Sequence, residues 1–120
     1  MGDSIKDVEE SRIGNQQGWY YGQPVLPRGR TYSVKSWTFL FQAIKSGVKT
    51  HDIRDMRDRD YKVGDFLLLN EFDPATGKYT GDKLLVEITY ITNTTTPCAM
   101  SSACLDKNFC VLSVKKVKND

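Results

Sequence analysis

The sequence lacks most of the features that define specialised protein classes. It carries three cysteines and one histidine in 120 residues, and Cys98, Cys104 and Cys110 fall six residues apart instead of in the tight pairs of a zinc site or the even set of a disulfide framework. Neither a metal nor a cofactor is expected, and the thiols read as reduced and partly buried. No apolar run approaches the roughly 20 residues that a membrane helix requires. The N-terminus runs from Met1-Gly2-Asp3-Ser4 into Lys6-Asp7-Val8-Glu9-Glu10 and offers no apolar signal core. These absences predict a cytoplasmic protein without a membrane partner. Charge of one sign is scarce too: 17 Lys and Arg against 15 Asp and Glu leave a net charge of +2, too little to coat nucleic acid by bulk attraction. An anion site would have to be local, and the cationic excess lies in residues 35–65, with seven basic and five acidic side chains.

What remains is an ordinary globular composition, 39% hydrophobic and 27% charged with 9 Gly and 4 Pro, which excludes collagen-like, coiled-coil and wholly disordered chains. A chain of this length buries roughly 65% of the surface it exposes when unfolded, enough for one core. Residues 1–18 are polar and aperiodic and read as a mobile tail. In residues 19–30 the aromatic cluster Trp19-Tyr20-Tyr21 precedes Pro24 and Pro27, which impose an extended path. With Arg28 and Arg30 those aromatics either form a stacking platform for unpaired bases or pack the extension onto the domain. The folded domain is expected over 31–117, with 118–120 a short tail.

Within that domain Thr31-Tyr32-Ser33-Val34-Lys35 reads as a strand and Ser36 as a helix N-cap. Trp37, Leu40, Phe41 and Ile44 recur at i, i+3, i+4 and i+7, the stripe of a helix on a core, and Gly47 can close it in the left-handed conformation. Trp37, Phe39 and Phe41 are read as helix residues that mostly face the core. Lys49 to Arg54 is extended, and the alternating charges from Asp55 to Asp60 form a loop. Val63-Gly64-Asp65 makes a turn into the strand Phe66–Phe72. Asp73-Pro74-Ala75-Thr76-Gly77 is a tight turn by its residue chemistry. A second strand over Lys83–Thr92 completes a long hairpin, with Val86, Ile88 and Tyr90 sharing a face. Residues 93–107 form a loop, and Phe109–Val114 is the closing strand. One helix with several hairpin-joined strands predicts an α+β domain, a small, partly closed mixed β-barrel with the main helix against its opening.

Two motifs carry a resemblance. Lys35 and Gly47-Val48-Lys49-Thr50-His51-Asp52-Ile53-Arg54, followed by Asp58-Arg59-Asp60-Tyr61-Lys62-Val63-Gly64-Asp65, resemble the ASCH domain, a PUA-like barrel with the signature G-x-K-x-x-E-x-R and a following G-D. Together with Glu71-Phe72-Asp73-Pro74-Ala75-Thr76-Gly77-Lys78-Tyr79-Thr80-Gly81, they are most similar to a bacterial and phage branch of unknown function. The likeness covers about residues 31–117, and the signature's glutamate is Asp52 here.

Side-chain alternation puts Thr50, Asp52 and Arg54 on one side of a strand and Lys49, His51 and Ile53 on the other, with Ile53 toward the core. Lys49 joins the trio only if the strand starts after it or bulges there. Arg54 offers a planar fork for phosphate or a guanine edge, Lys49 a point charge, and Asp52 an acceptor for an exocyclic amine. The same acidic and basic side chains, with Asp55, Arg57, Asp58, Arg59 and Asp60, can instead pair among themselves at the surface. Gly64 and Asp65 are read as a structural turn.

The resemblance favours the binding reading, since ASCH domains are taken to bind RNA or nucleotides in a cleft beneath the helix. The expected site is Lys35, Lys49, Thr50, Asp52, Arg54 and Arg59. The expected ligand is RNA, a single-stranded nucleic acid or a modified nucleotide. Two alternatives stand beside this one. Some small ASCH proteins resemble amidohydrolases of acylated nucleosides, in which a lysine matching Lys49 is catalytic. An adaptor of phage or mobile-element origin would engage a protein partner through residues 1–30.

Overall fold

The computed structural model describes residues 18–20, 23–25, 29–99 and 104–117, the first two stretches by their backbone alone. Gly18–Tyr20 (β1) and Gln23–Val25 (β2) pair antiparallel as a separate two-stranded sheet. The tail expected over 1–18 lies outside the described residues except for Gly18, as do residues 118–120.

Alternation of apolar residues builds the main sheet. Its strands are Thr31–Trp37 (β3), His51–Asp55 (β4), Phe66–Asp73 (β5), Lys78–Thr92 (β6) and Phe109–Lys116 (β7), joined in the spatial order β3-β5-β6-β7-β4. Only β3 and β5 run parallel; the other three pairs are antiparallel. Leu67 and Leu69 of β5, Val86 and Ile88 of β6 and Leu112 of β7 are wholly buried, whereas the residues between them in sequence are at least partly exposed. All five point to the concave side of a curled half-barrel, and each methylene they withdraw from water stabilises by about 0.8 kcal/mol.

The helix Thr38–Ser46 (α1) joins β3 to β4, the two edges of that sheet. It lays Phe41 and Ile44 into the core at one end of the half-barrel. Gly47 stops it at φ +89°, its N–H reaching the Ile44 carbonyl at 3.0 Å, a geometry in which a Cβ would be strained. At the opposite end the loop 56–65 inserts Tyr61 and Val63 into the core. The loop ends in a turn held by Asp65, whose buried carboxylate accepts from the Lys62 N–H and, across the chain, from the Arg30 N–H, both at 2.9 Å. Asp65 therefore holds the turn before β5, the structural role assigned to it from sequence, and in addition ties the start of β3 to the start of β5.

Several expectations are corrected. Ser36 is no N-cap; β3 continues through it, Trp37 occupies the cap position, and no side chain caps the helix. Trp37 and Phe39 are 48% and 63% exposed, so only Phe41 of the three aromatics is core. Ile53 does not face the core: it is 58% exposed while Asp52 is buried. The partner strand sets this face, because Asp52 lies opposite Leu112 and Arg54 opposite Cys110, both core residues. A register shift between Ile88 and Tyr90 puts Ile91, not Tyr90, on the buried face. Cys98 and Cys104 are exposed, and Cys110 alone is buried.

The hairpin motif has a structural explanation. Between the pairs Asn70↔Lys83 and Phe72↔Tyr79, β5 advances two residues and β6 four, so Thr80-Gly81-Asp82 bulges opposite Glu71. The buried Glu71 carboxylate accepts from Thr80 Oγ1 at 2.7 Å and from Gln42 Nε2 of α1 at 2.9 Å. Lys45 reaches Asp82 at 2.8 Å. The bulge thus fastens the helix to the sheet.

Candidate nucleic-acid interface

The two edge strands meet at a seam. In a flat sheet of five strands β3 and β4 would lie roughly 19 Å apart, four spacings of about 4.8 Å. Instead the Arg54 guanidinium on β4 donates through Nη2 to the Lys35 carbonyl of β3 at 2.9 Å. Its Nε donates to Asp52 Oδ2 at 2.6 Å. The arginine and aspartate side chains are only 20% and 9% exposed. The pairing anticipated for Asp52 and Arg54 thus exists, but inside the curl and not at the surface. Asp52 fixes the guanidinium plane, and Arg54 closes the half-barrel across its open side.

Below this clamp the loop 56–65 adds a second arginine. The Arg59 guanidinium carbon lies 5.5 Å from the centre of the Tyr32 ring, a cation–π contact. Tyr32 meets Tyr61 edge to face at 5.0 Å. Burial pushes the Tyr61 phenol above its ordinary pKa, while Arg59 and Arg54 both act to lower it, which places the hydroxyl under the influence of both cations. Arg59 Nη1 is buried with no hydrogen-bond partner among the described residues. Such an orphaned donor costs about 1–3 kcal/mol if nothing satisfies it. The neighbouring Cys110 thiol, burial pushing it up to about 11, donates to the Arg54 carbonyl at 3.6 Å and is inert in a reduced state.

The structure brings Lys35, Asp52, Arg54 and Arg59 to one seam and treats the other two residues differently. The Lys49 ammonium donates to the His51 carbonyl at the start of β4 at 2.8 Å, and both Lys49 and Thr50 stand just before that strand, Thr50 exposed. The Lys35 ammonium sits 4.3 Å from the Phe72 ring centroid on the convex face, so this residue gives its carbonyl to the seam and its charge to the opposite side. Of the alternating charges, Asp55 pairs with Arg57 as the surface-pairing reading holds, whereas Asp60 pairs with Lys62, outside the set that reading named. Tyr32 and Tyr61 also stand at the seam, and neither is among the residues expected there from sequence. Tyr61 stands inside the quoted Asp58–Asp65 motif, but its aromatic position carries no periodic signal.

The aromatic cluster at 19–21 has no described side chains, and Tyr21 and Arg28 lie outside the described residues, as do residues 1–17, 21–22 and 26–28 of the partner segment 1–30. No helix among the described residues is long and apolar enough to cross a membrane. No curated protein matches this chain. Residues 31–114 match the family described as a domain of unknown function (DUF3850), a span that runs from the start of β3 into β7 and includes both halves of the seam, and the chain belongs to that family.

Proposed function

We propose that this chain is a nucleic-acid-binding module that seats RNA or a modified nucleotide at the seam between β3 and β4. The observation that carries the reading is Arg59: a buried guanidinium nitrogen with no hydrogen-bond partner among the described residues, acting on the Tyr61 hydroxyl together with Arg54, a second arginine already oriented by a carboxylate. An anionic oxygen entering there would satisfy Nη1 and meet a fixed, planar donor set, the geometry for which arginine is suited. Tyr32 and Tyr61 flank the position with aromatic surface. The resemblance to ASCH and PUA-like barrels supports the same reading, because the lysine, acid and arginine of their signature correspond to Lys49, Asp52 and Arg54. The shorter Asp52 is here committed to Arg54, which makes its contribution orientation and not direct contact with a base.

Fluorescence anisotropy with a short single-stranded RNA, over a series of salt concentrations, tests this. Two or three phosphate contacts give a slope of log affinity against log salt of about −1.5 to −2. Arg59→Gln should weaken binding on the order of tenfold or more, the worth of a charged hydrogen bond, with the fold intact by circular dichroism. Unchanged affinity in Arg59→Gln removes the seam as the site.

A further inference from the structure

The convex face of the sheet presents a second surface, and its side chains come in rows. The register aligns Trp37 of β3 with Phe72 of β5, and Phe72 with Tyr79 of β6. Three aromatic side chains therefore stand side by side across three adjacent strands. Phe39, the second residue of α1, extends the row, its ring 6.2 Å from that of Trp37. Trp37, Phe39 and Tyr79 are 48%, 63% and 57% exposed, although burying such rings would stabilise the fold. The next row along the same face is Lys35, Asn70 and Lys83. Lys35 lies over the Phe72 ring, and Lys83 Nζ is held by Asn70 Oδ1 at 2.6 Å. Neither row contains a carboxylate.

We propose that these two rows form a platform for single-stranded nucleic acid, with unpaired bases stacking on Trp37, Phe39 and Tyr79 and the backbone following Lys35 and Lys83. Every base has a π-face, so a row of exposed rings beside fixed cations accepts a single strand with little regard to sequence. A duplex keeps its bases stacked inside and cannot use the rings. The charge decides the occupant, since these two rows offer cations and no anions beside their aromatics, complementary to a polyanion, the carboxylate of Glu87 lying three rows from the aromatic one, opposite Phe66. The inference rests on the nucleic-acid reading for the class of ligand but not for its position. Lys35 links the two regions, its carbonyl bound in the seam and its ammonium on the platform.

The test uses the full chain with two probes: uridine 5′-monophosphate, which is large enough for the seam alone, and a labelled oligouridine RNA of about 12 nucleotides, within the range one such surface covers. Tyr79→Leu keeps apolar cover and removes the ring, and Lys83→Gln removes one charge. Tyr79→Leu should weaken oligouridine binding about five- to a hundredfold and leave the mononucleotide unchanged. Lys83→Gln should reduce the salt slope by about 0.7. Single strands should bind more tightly than a duplex of equal length. If both variants bind oligouridine as the wild type does, the platform is wrong, and a mononucleotide site lost in Arg59→Gln would still leave the seam standing. If the mononucleotide fails to bind while oligouridine depends on Tyr79, the seam falls and the platform holds. Failure of both probes removes both. Self-association that Tyr79→Leu abolishes would also overturn the platform, assigning this face to a protein contact.

Discussion

Replacing Arg54 by methionine removes a side chain that spans the open side of the half-barrel, and the loss can be sized from its surroundings. An exposed ion pair contributes about 0–1 kcal/mol, whereas breaking a buried one costs about 3–5 kcal/mol because a charge is left unpaired. The Arg54 and Asp52 side chains are 20% and 9% exposed, close to the buried limit but not at it. The same substitution also removes the bond to the Lys35 carbonyl. The expected loss is about 3 kcal/mol, which lowers a urea midpoint by about 2 M for an m-value near 1.5 kcal/mol/M. The exposed pair Lys45–Asp82 supplies the control: Lys45→Ala should cost under about 1 kcal/mol. Adding Asp52→Asn to Arg54→Met should recover part of the stability, because the stranded charge disappears. Equal and small shifts for Arg54→Met and Lys45→Ala would refute the placement of Arg54 as the closing side chain.

Other outcomes follow from the same structure. A Cβ on Gly29 would stand 1.9 Å from the Gly64 carbonyl oxygen, so Gly29→Ala must displace backbone and should destabilise by about 1–3 kcal/mol in urea melts. Alkylation at pH 8 followed by mass spectrometry should modify the exposed Cys98 and Cys104 well before Cys110, whose thiol is buried and pushed up to about 11. Arg57 holds the Asp55 carboxyl down to about 2, and Lys45 lowers that of Asp82. Both folded values lie below the unfolded ones, so the stability these pairs add is present above the ordinary carboxylate value and is lost as pH falls through the folded one. An acid titration followed by tryptophan fluorescence should show that loss, and it should shrink in high salt because both pairs are exposed.

Local chemistry made much of the fold legible. Gly47 after a helical stripe, the Asp73–Gly77 turn and the Gly64-Asp65 turn each carry their structural instruction in the residue itself. Ile53 shows where local reasoning stops. Its apolar side chain marks a core face by the usual alternation, yet an ion pair occupies the two inward positions, and only the pairing with β7 reveals that. Trp37 failed for a related reason. Counted at helical spacing it belongs to the stripe of α1, but β3 extends through it, and a strand's period of two turns it outward with Lys35. The seam depends on a contact between residues 35 and 54 made by curling five strands, and Arg59 reaches it from an irregular loop that no periodicity describes. Of the expected set Lys35, Lys49, Thr50, Asp52, Arg54 and Arg59, the seam gathers Lys35, Asp52, Arg54 and Arg59, whereas the division of Lys35 between two faces was not legible.

The most direct measurement is an amide chemical-shift titration of the isotope-labelled protein with a short single-stranded RNA at two salt concentrations. Binding at the seam requires saturable shifts at Tyr32, Lys35, Arg54, Arg59 and Tyr61, weakened by salt and lost in Arg59→Gln. Saturable binding that leaves those five amides unmoved, or an RNA that produces no shifts at either salt concentration, would contradict it.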